Sequence, residues 1–252
     1  MGKADVTTVN ALLSDMDALK GLLEHYHFKD NNRIELSDLE RVVNKIRANI
    51  GTKKKKKLSF TTDNGGITFH TMTTGMTPNP SVQDQKIDLT LELKYEFTCD
   101  KTDLKEIIKG YNLDIRIAGA QKNHRNRHHY FEWLQDVLPP KNKKDEKYRF
   151  IHPYYHFHAG GTFLKSKGPG SLILLSSPRL PYPPMDIVLA VNFIICNFFS
   201  TKEEKFKEEM KILDDDEYQK LVKRAAKRIY EPYYKEINSD LSKSEFMPLF
   251  TQ

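Results

Sequence analysis

The sequence predicts an α+β fold with an N-terminal helical hairpin, a central and mainly antiparallel sheet, and C-terminal helices. The apolar residues first recur with a helical period, change to a period of two after a lysine run, and later return to a helical period. Separate runs of helices and strands are typical of α+β proteins. We predict a helical hairpin over 1–52 and an α+β domain over 58–252, which together also fit one continuous domain of the 252-residue chain.

The first 50 residues contain two amphipathic patterns. Over 7–23 the apolar residues lie at i, i+3, i+4 and i+7, which predicts a helix with one buried stripe. In "SDLE" at 37–40, Ser37 is the expected N-cap of a second helix and Glu40 completes a capping box. The two helices would form an αα-hairpin.

The middle of the chain is predicted to consist mainly of strands. "LSFTTDNGGITFHTMTTG" at 58–75 predicts two strands around an Asn-Gly-Gly turn. Strict alternation of apolar and polar residues in "KIDLTLELKYEF" at 86–97 predicts a strand with one buried face, and "NLDIRIAGA" at 112–120 fits another. Two further strands are predicted at 154–164 and 171–177.

Helices are predicted between and after these strands. "NHRNRHHYFEWLQDVL" at 123–138 is expected to be a helix that ends before two prolines. A proline-rich extended segment then leads into a helix at 185–199, whose apolar residues on nearly all sides predict a central position. The last helices are expected near 201–212 and 216–230. The apolar stripe of the last one is flanked by five cations, Lys220, Lys223, Arg224, Lys227 and Arg228.

Composition restricts the classes of function. The chain carries 40 Lys and Arg against 34 Asp and Glu, a net charge of +6, which permits nucleic acid as a partner without requiring it. Cys99 and Cys196 lack a CxxC spacing and are expected to be reduced core thiols. The longest apolar run, 187–199, is too short to span a bilayer, and the N-terminus has no signal-peptide pattern. We expect a soluble cytoplasmic protein without membrane contact.

Two basic segments are candidate nucleic-acid contacts. A run of five lysines could bind phosphates, although such runs are usually solvated linkers. "HRNRHH" at 124–129 is followed by Tyr130 and Trp133, and basic residues beside aromatic ones can hold a nucleic-acid backbone and stack a base. The alternative is an exposed, basic start of a helix. The candidate residues are Lys53, Lys54, Lys55, Lys56, Lys57, Arg125, Arg127 and His128.

A histidine pair forms a third candidate site. In a strand over 154–164, His156 and His158 share one face, ~7 Å apart, while the opposite, apolar face is expected to meet the core. With Arg179 and Asp186 they could form the catalytic site of a metal-dependent nuclease or phosphoesterase. A catalytic zinc, however, requires about three protein ligands, and the sequence supplies two at a fixed spacing. We therefore expect no metal and no cofactor, and interpret the pair as covering a sheet face.

Asp186 and the acidic run "DDDE" at 214–217 have simpler interpretations as helix caps, because carboxylates at helix starts accept hydrogen bonds from unpaired N–H groups. Asn192 and Asn197 lie in an apolar helix and are expected to bond neighbouring backbone. The chain contains no GxSxG, P-loop, GxGxxG or HExxH motif. Enzymatic activity therefore stays open, with binding favoured over catalysis.

Three segments, "HFHAGG", "LILLSSPRLPYPPMD" and "FIICNFF", occur in order within 148–200. This stretch, a fifth of the chain, resembles an uncharacterised family of bacterial proteins, a domain of unknown function whose genes lie near mobile-element and phage-defence genes. The resemblance implies a setting in antiviral defence. The leading hypothesis is an accessory protein of a bacterial multi-component system that contacts DNA or RNA and a protein partner from a neighbouring gene. The alternatives are the hydrolase above and a subunit whose only role is assembly.

Overall fold

The computed structural model describes residues 9–50, 57–61, 67–72, 87–98, 108–121, 124–137, 155–159, 180–181, 183–199 and 204–239. For most strand residues the structure describes the backbone and not the side chain. The predicted strand at 171–177 lies outside the described residues, as do Cys99 and Arg179.

The helices confirm the predicted N-terminal hairpin and C-terminal helices. Five α-helices are present in the described part of the chain: α1 (Val9–His25), α2 (Leu36–Ile50), α3 (Ile187–Phe198), α4 (Lys207–Met210) and α5 (Asp216–Ser239). Short 3-10 helices at Glu204–Phe206 and Lys211–Asp214 flank α4. The predicted N-cap at Ser37 is wrong, because α2 already begins at Leu36 and Ser37 lies in its first turn.

Seven strands are present among the described residues: β1 (Lys57–Thr61), β2 (Ile67–Met72), β3 (Ile87–Thr98), β4 (Ile108–Gln121), β5 (His124–Val137), β6 (Tyr155–Ala159) and β7 (Leu180–Pro181). All their pairings are antiparallel, in the order β3, β4, β5, β6, β7, with β1 and β2 both paired to β3. The two strands predicted within 58–75 are present, but both pair with β3 and, among the described residues, not with each other.

The helix predicted at 123–138 is also wrong, because these residues form β5. The backbone of β5 pairs with β4 along most of its length, for example Ile117 with Phe131 and Ile115 with Trp133. Phe131, Trp133 and Val137 lie at alternating positions, and aromatic and β-branched residues are favoured in strands. Pairing with a neighbouring strand thus decides the structure of this segment, against the predicted helix.

The core lies where α1, α2, α3 and α5 meet. Seven of the twelve residues of α3 are buried, which confirms the prediction of a central helix, and α3 contacts both α1 and α5. The strand side chains described in this core are Ile67, Phe69, Leu91, Ile108, Leu113 and Ile115. Most of the core side chains that the structure describes come from helices, and six come from strands. A central position of the antiparallel sheet therefore stays a prediction.

Backbone hydrogen bonds join the helical hairpin to β2. The N–H of Glu35 donates to the carbonyl of Thr68 at 3.1 Å, and the N–H of His70 donates to the carbonyl of Arg33 at 2.9 Å. The ring Nε2 of His70 also lies 3.0 Å from Oε1 of Glu35. The segment between α1 and α2 is thereby tied to a strand, while the proposed domain boundary at 52–58 stays a prediction.

Candidate nucleic-acid interface

The predicted basic residues that the structure describes lie in two strands. Lys53–Lys56 lie outside the described residues, and Lys57 is the first residue of β1, opposite Thr98 of β3. Arg125, Arg127 and His128 belong to β5. Lys57 and the arginine segment therefore lie in different strands.

The register of β4 and β5 is irregular at the arginine segment. Gln121 pairs with His124, whereas the preceding residue, Ala120, pairs with His128. Three residues of β5, 125–127, therefore have no pairing partner in β4 between these two positions. Such bulges bend a strand and interrupt its ladder, and they are common beside functional sites. Arg125 and Arg127 thus lie in an irregular segment at the end of the β4–β5 hairpin.

The histidine pair lies in β6, next to the other end of β5. His158 pairs with Leu134, and His156 pairs with Asp136 on one side and Pro181 on the other. Leu134 lies six positions after His128 in β5, which corresponds to ~20 Å at ~3.3 Å per residue. The structure thus does not bring the arginine segment and the histidine pair together. In the described part of the chain, no group of three or more His, Cys, Asp or Glu residues could hold a metal ion.

The predicted role of Asp186 as a helix cap is confirmed. Its Oδ1 accepts a hydrogen bond from the backbone N–H of Leu189 at 3.0 Å at the start of α3. Its Oδ2 accepts from Arg228 through Nε at 3.1 Å and Nη2 at 3.0 Å, and the residue is 0% exposed. The hypothesis that joins Asp186 to His156, His158 and Arg179 in a catalytic site stays a prediction, because those three side chains are outside the description.

A buried charge network around Asp186 was missed by the sequence reasoning. Arg228, which is 0% exposed, donates to Asp186 and, through Nη2, to Oδ2 of Asp15 at 3.0 Å. Arg224 donates from Nε to Oδ1 of Asp15 at 2.8 Å. These two acids and two arginines balance in charge and join α1, the N-terminus of α3 and α5. Buried ions of this kind are tolerated when they are paired and hydrogen-bonded.

The sequence does contain a signal for this network. Asp15 lies between Leu12, Met16 and Leu19 on the buried stripe of α1, where a charged residue requires a partner. Arg228 follows Leu221 and Ala225 at i+7 and i+3, which places it on the buried face of α5. What the sequence does not contain is the pairing itself, since Asp15 and Arg228 are 213 residues apart.

A second network ties the turn after α1 to α4. Nε of Arg33 donates to Oε1 of Glu209 at 2.7 Å, and Nδ2 of Asn31 donates to the same oxygen at 3.0 Å. Nη2 of Arg33 also donates to the carbonyl of Lys205 at 2.8 Å, and its guanidinium lies 4.8 Å from the ring centre of Phe206. These hydrogen bonds satisfy the polar atoms of a nearly buried ion pair. The residues of this network therefore have a structural role.

Polar residues of α3 behave partly as expected. Nδ2 of Asn197 donates to the carbonyl of Phe193 at 2.7 Å, which confirms the predicted backbone bond. Asn192 instead accepts from the hydroxyl of Tyr218 at 3.1 Å. The predicted core position of Cys196 is wrong, because its thiol lies on the exposed side of α3, 3.7 Å from Oδ1 of Asn192. The helix is therefore central without being buried on every side.

The acidic run before α5 confirms the predicted cap. Oδ1 of Asp215 accepts from the backbone N–H groups of Glu217 at 2.8 Å and Tyr218 at 2.9 Å. Oδ2 of Asp215 accepts from the hydroxyl of Tyr26 at 2.7 Å. The hydrogen bond from Tyr26, followed by those from the two amides, holds the pKa of the Asp215 carboxyl below its ordinary value. This carboxylate therefore links the end of α1 to the start of α5.

Comparisons of the chain with known protein families, with curated proteins and with solved structures found no match. Among the helices that the structure describes, none is both long enough and apolar enough to cross a membrane.

Proposed function

We propose that this protein binds nucleic acid, as an accessory component and not as a catalyst. Its contacts would be phosphate contacts from Arg125, Arg127, His128 and the lysine run Lys53–Lys57. The observation that carries this proposal is the irregular register between Gln121↔His124 and Ala120↔His128, at the end of the β4–β5 hairpin. The three residues of this bulge include two arginines. The N–H donors of their guanidinium groups suit phosphate oxygens.

The electrostatics of the chain support phosphate contacts as the main source of affinity. A net charge of +6 attracts a polyanion, and contacts to phosphates release counterions from it without reading its sequence. Tyr130, further along the same strand, would add stacking to a base. Trp133 pairs with the buried Ile115 and so lies on the core-facing side of the strand. In this proposal the paired strands form a central, mainly antiparallel sheet, and the β4–β5 hairpin is displayed at its end.

We propose the cellular setting on the resemblance of 148–200 to the bacterial family described above. The protein would work in the cytoplasm, in a bacterial multi-component system for antiviral defence. Its protein partner would be encoded by a neighbouring gene. DNA and RNA are both compatible with binding that depends on phosphates.

The test is fluorescence anisotropy of a labelled oligonucleotide with the full chain, at salt concentrations from ~50 to ~200 mM, where counterion release changes affinity steeply. For Arg125→Ala/Arg127→Ala we expect a log–log salt slope smaller by about 1.4 to 1.8, since each lost phosphate contact removes about 0.7 to 0.9. The matched control, Lys207→Ala/Lys211→Ala, removes the same charge from exposed residues that pair with Glu204 and Glu208. Its slope should equal that of the wild type.

Two results would remove the proposal. The first is the absence of binding at ~50 mM salt, where the electrostatic contribution is large. The second is an equal change of slope in the arginine variant and in the lysine control, because net charge alone would then explain the binding.

A further inference from the structure

The outward side of α5 carries cations and aromatic rings in one line. Lys220, Lys223, Lys227, Tyr230 and Tyr234 follow one another at spacings of three and four residues, which places them on one face of the helix. The three lysines are exposed, Tyr230 is half-buried and Tyr234 is 52% exposed. These five residues are called the Lys–Tyr stripe. The opposite face of α5 is the one that packs into the core, through Tyr218, Leu221, Ala225 and Ile229.

The cations of the stripe differ in their contacts. Lys220 donates from Nζ to Oε1 of Glu217 at 2.7 Å. Lys223 and Lys227 have no ion-pair partner within the described portion of the chain, although Arg224, between them, is bonded to Asp15. The stripe therefore presents two positive charges that no carboxylate of the described residues neutralises.

The aromatic end of the stripe is partly exposed to solvent. Tyr234 is the large apolar side chain that stands out as exposed among the described residues. Its ring centre lies 6.5 Å from that of Tyr230, with an angle of 82° between the two planes. Proteins that bind single-stranded nucleic acid often combine exposed aromatic rings with cations. The unpaired bases stack on the rings, and the phosphates contact the lysines.

We infer that the Lys–Tyr stripe is a binding site for single-stranded nucleic acid. Lys223 and Lys227 would contact phosphates and Tyr234 would stack with an unpaired base. The stripe spans ~21 Å, from fourteen steps of ~1.5 Å, which is enough for a short stretch of strand. Because Arg228 anchors the inner face of α5 to Asp15 and Asp186, the part of the helix that carries Lys223 and Lys227 is held in position by the fold. This site is separate from the arginine segment of β5, but it rests on the proposed function, namely nucleic-acid binding by the chain.

A duplex and an acidic polypeptide would use the stripe differently. The bases of a duplex are paired and stacked, so Tyr234 would add little to its binding. An acidic polypeptide would be attracted by the lysines and would not need an exposed ring. The contribution of Tyr234 to binding therefore distinguishes the proposed ligand from both.

The experiment measures the affinity of the full chain for a labelled oligo-dT strand and for a duplex of equal length at ~50 mM salt, where phosphate contacts are strong. Lys223→Gln/Lys227→Gln should weaken binding to the strand by about fivefold or more, as should Tyr234→Ala. Tyr234→Ala should leave duplex binding unchanged. The matched control Lys207→Gln/Lys211→Gln, which removes two exposed charges elsewhere, should bind like the wild type. Thermal unfolding of each variant should match the wild type, since the changed side chains are exposed.

Other outcomes overturn the inference. A loss in the control equal to that in the stripe variant would assign the effect to net charge, and an equal loss on duplex after Tyr234→Ala would exclude stacking. Competition by polyglutamate as effective as by oligo-dT would assign the stripe to an acidic polypeptide. If the wild type binds neither oligonucleotide, the proposed function fails as well. If it binds and responds to Arg125→Ala/Arg127→Ala but not to the stripe variants, only this inference fails.

Discussion

The two faces of α5 carry cations with opposite roles. On the inner face, Arg228 is fully buried between Asp15 and Asp186. One residue earlier, Lys227 is exposed, and it shares the outer face with Lys223. A guanidinium is weakly hydrated and donates several directed hydrogen bonds, whereas an ammonium is compact and strongly hydrated, which explains why the arginine is inside and the lysines are outside.

This difference shows that a run of cations in a sequence is a poor measure of surface charge. The five cations between 220 and 228 appear equivalent as flanks of an apolar stripe. In the folded chain, Arg224 and Arg228 bond to carboxylates of other elements, whereas Lys223 and Lys227 pair with no carboxylate among the residues that the structure describes. We therefore expect substitutions on the inner face to reduce stability and substitutions on the outer face to reduce binding.

The largest effect is expected when the inner cation is removed. Arg228→Met would leave the carboxylates of Asp15 and Asp186 buried with one arginine fewer, and breaking a buried pair in this way costs about 3–5 kcal/mol of the free energy of unfolding. Lys227→Met, the neighbouring residue on the outer face, should change it by less than about 0.5 kcal/mol. Urea unfolding of both variants measures the difference. Equal destabilisation of the two would show that the faces are not distinguished as described.

A smaller loss is expected at the junction of α1 and α5 that Tyr26 and Asp215 form. Tyr26→Phe removes the 2.7 Å hydrogen bond to Asp215 and should lower the free energy of unfolding by about 1 kcal/mol near neutral pH. Asp215→Asn is the matched change on the other side, because an asparagine can still cap α5 but carries no charge. A Tyr26→Phe variant as stable as the wild type would show that this bond does not hold the junction.

The same junction should make stability depend on pH in the acid range. Because the folded pKa of Asp215 lies below its ordinary value of 3.8, the folded state binds fewer protons there than the unfolded state. The stabilisation is therefore present above that value and is lost as the pH falls through the lower, folded pKa. Unfolding measured at several values between about pH 6 and pH 2 should show a shallower decline for Asp215→Asn than for the wild type. An identical decline would assign the pH dependence to other carboxyl groups.

The smallest effect is expected at the histidine pair, which belongs to neither face of α5. His156→Ala/His158→Ala should leave both the melting temperature and oligonucleotide binding nearly unchanged. Protein purified without chelators should carry no stoichiometric metal, because two imidazoles supply fewer ligands than a zinc site requires. Zinc or manganese that disappears in the double variant would restore the hydrolase hypothesis. Elemental analysis is the measurement.

The parts of the fold that were predicted correctly are those whose pattern is local. The stripe of α1, the apolar character of α3 and the caps at Asp186 and Asp215 all follow from residues within a few positions of one another. The strand β5 was not predicted, because its identity depends on pairing with β4, and Trp133 fits either a helix or a strand when it is considered alone.

The surroundings of the candidate residues depend on the fold in the same way. Arg125 and Arg127 were identified by composition, but their position in a bulge depends on the register with β4. The roles of Arg228 and Lys227 differ because of contacts with residues some 200 positions away along the chain, such as Asp15. The fold therefore has to be known before the cations available to a ligand can be told from those that pair within the protein.

Cross-linking tests most directly whether the outer face of α5 holds nucleic acid. A single-stranded oligonucleotide with bromouracil in place of thymine would be irradiated with the full chain at ~50 mM salt, and the modified peptides would be identified by mass spectrometry. We expect adducts on Tyr234 or Tyr230 that are lost in Lys223→Gln/Lys227→Gln. Adducts found only outside α5, or adducts on α5 that persist in that variant, would contradict the assignment of this face to nucleic acid.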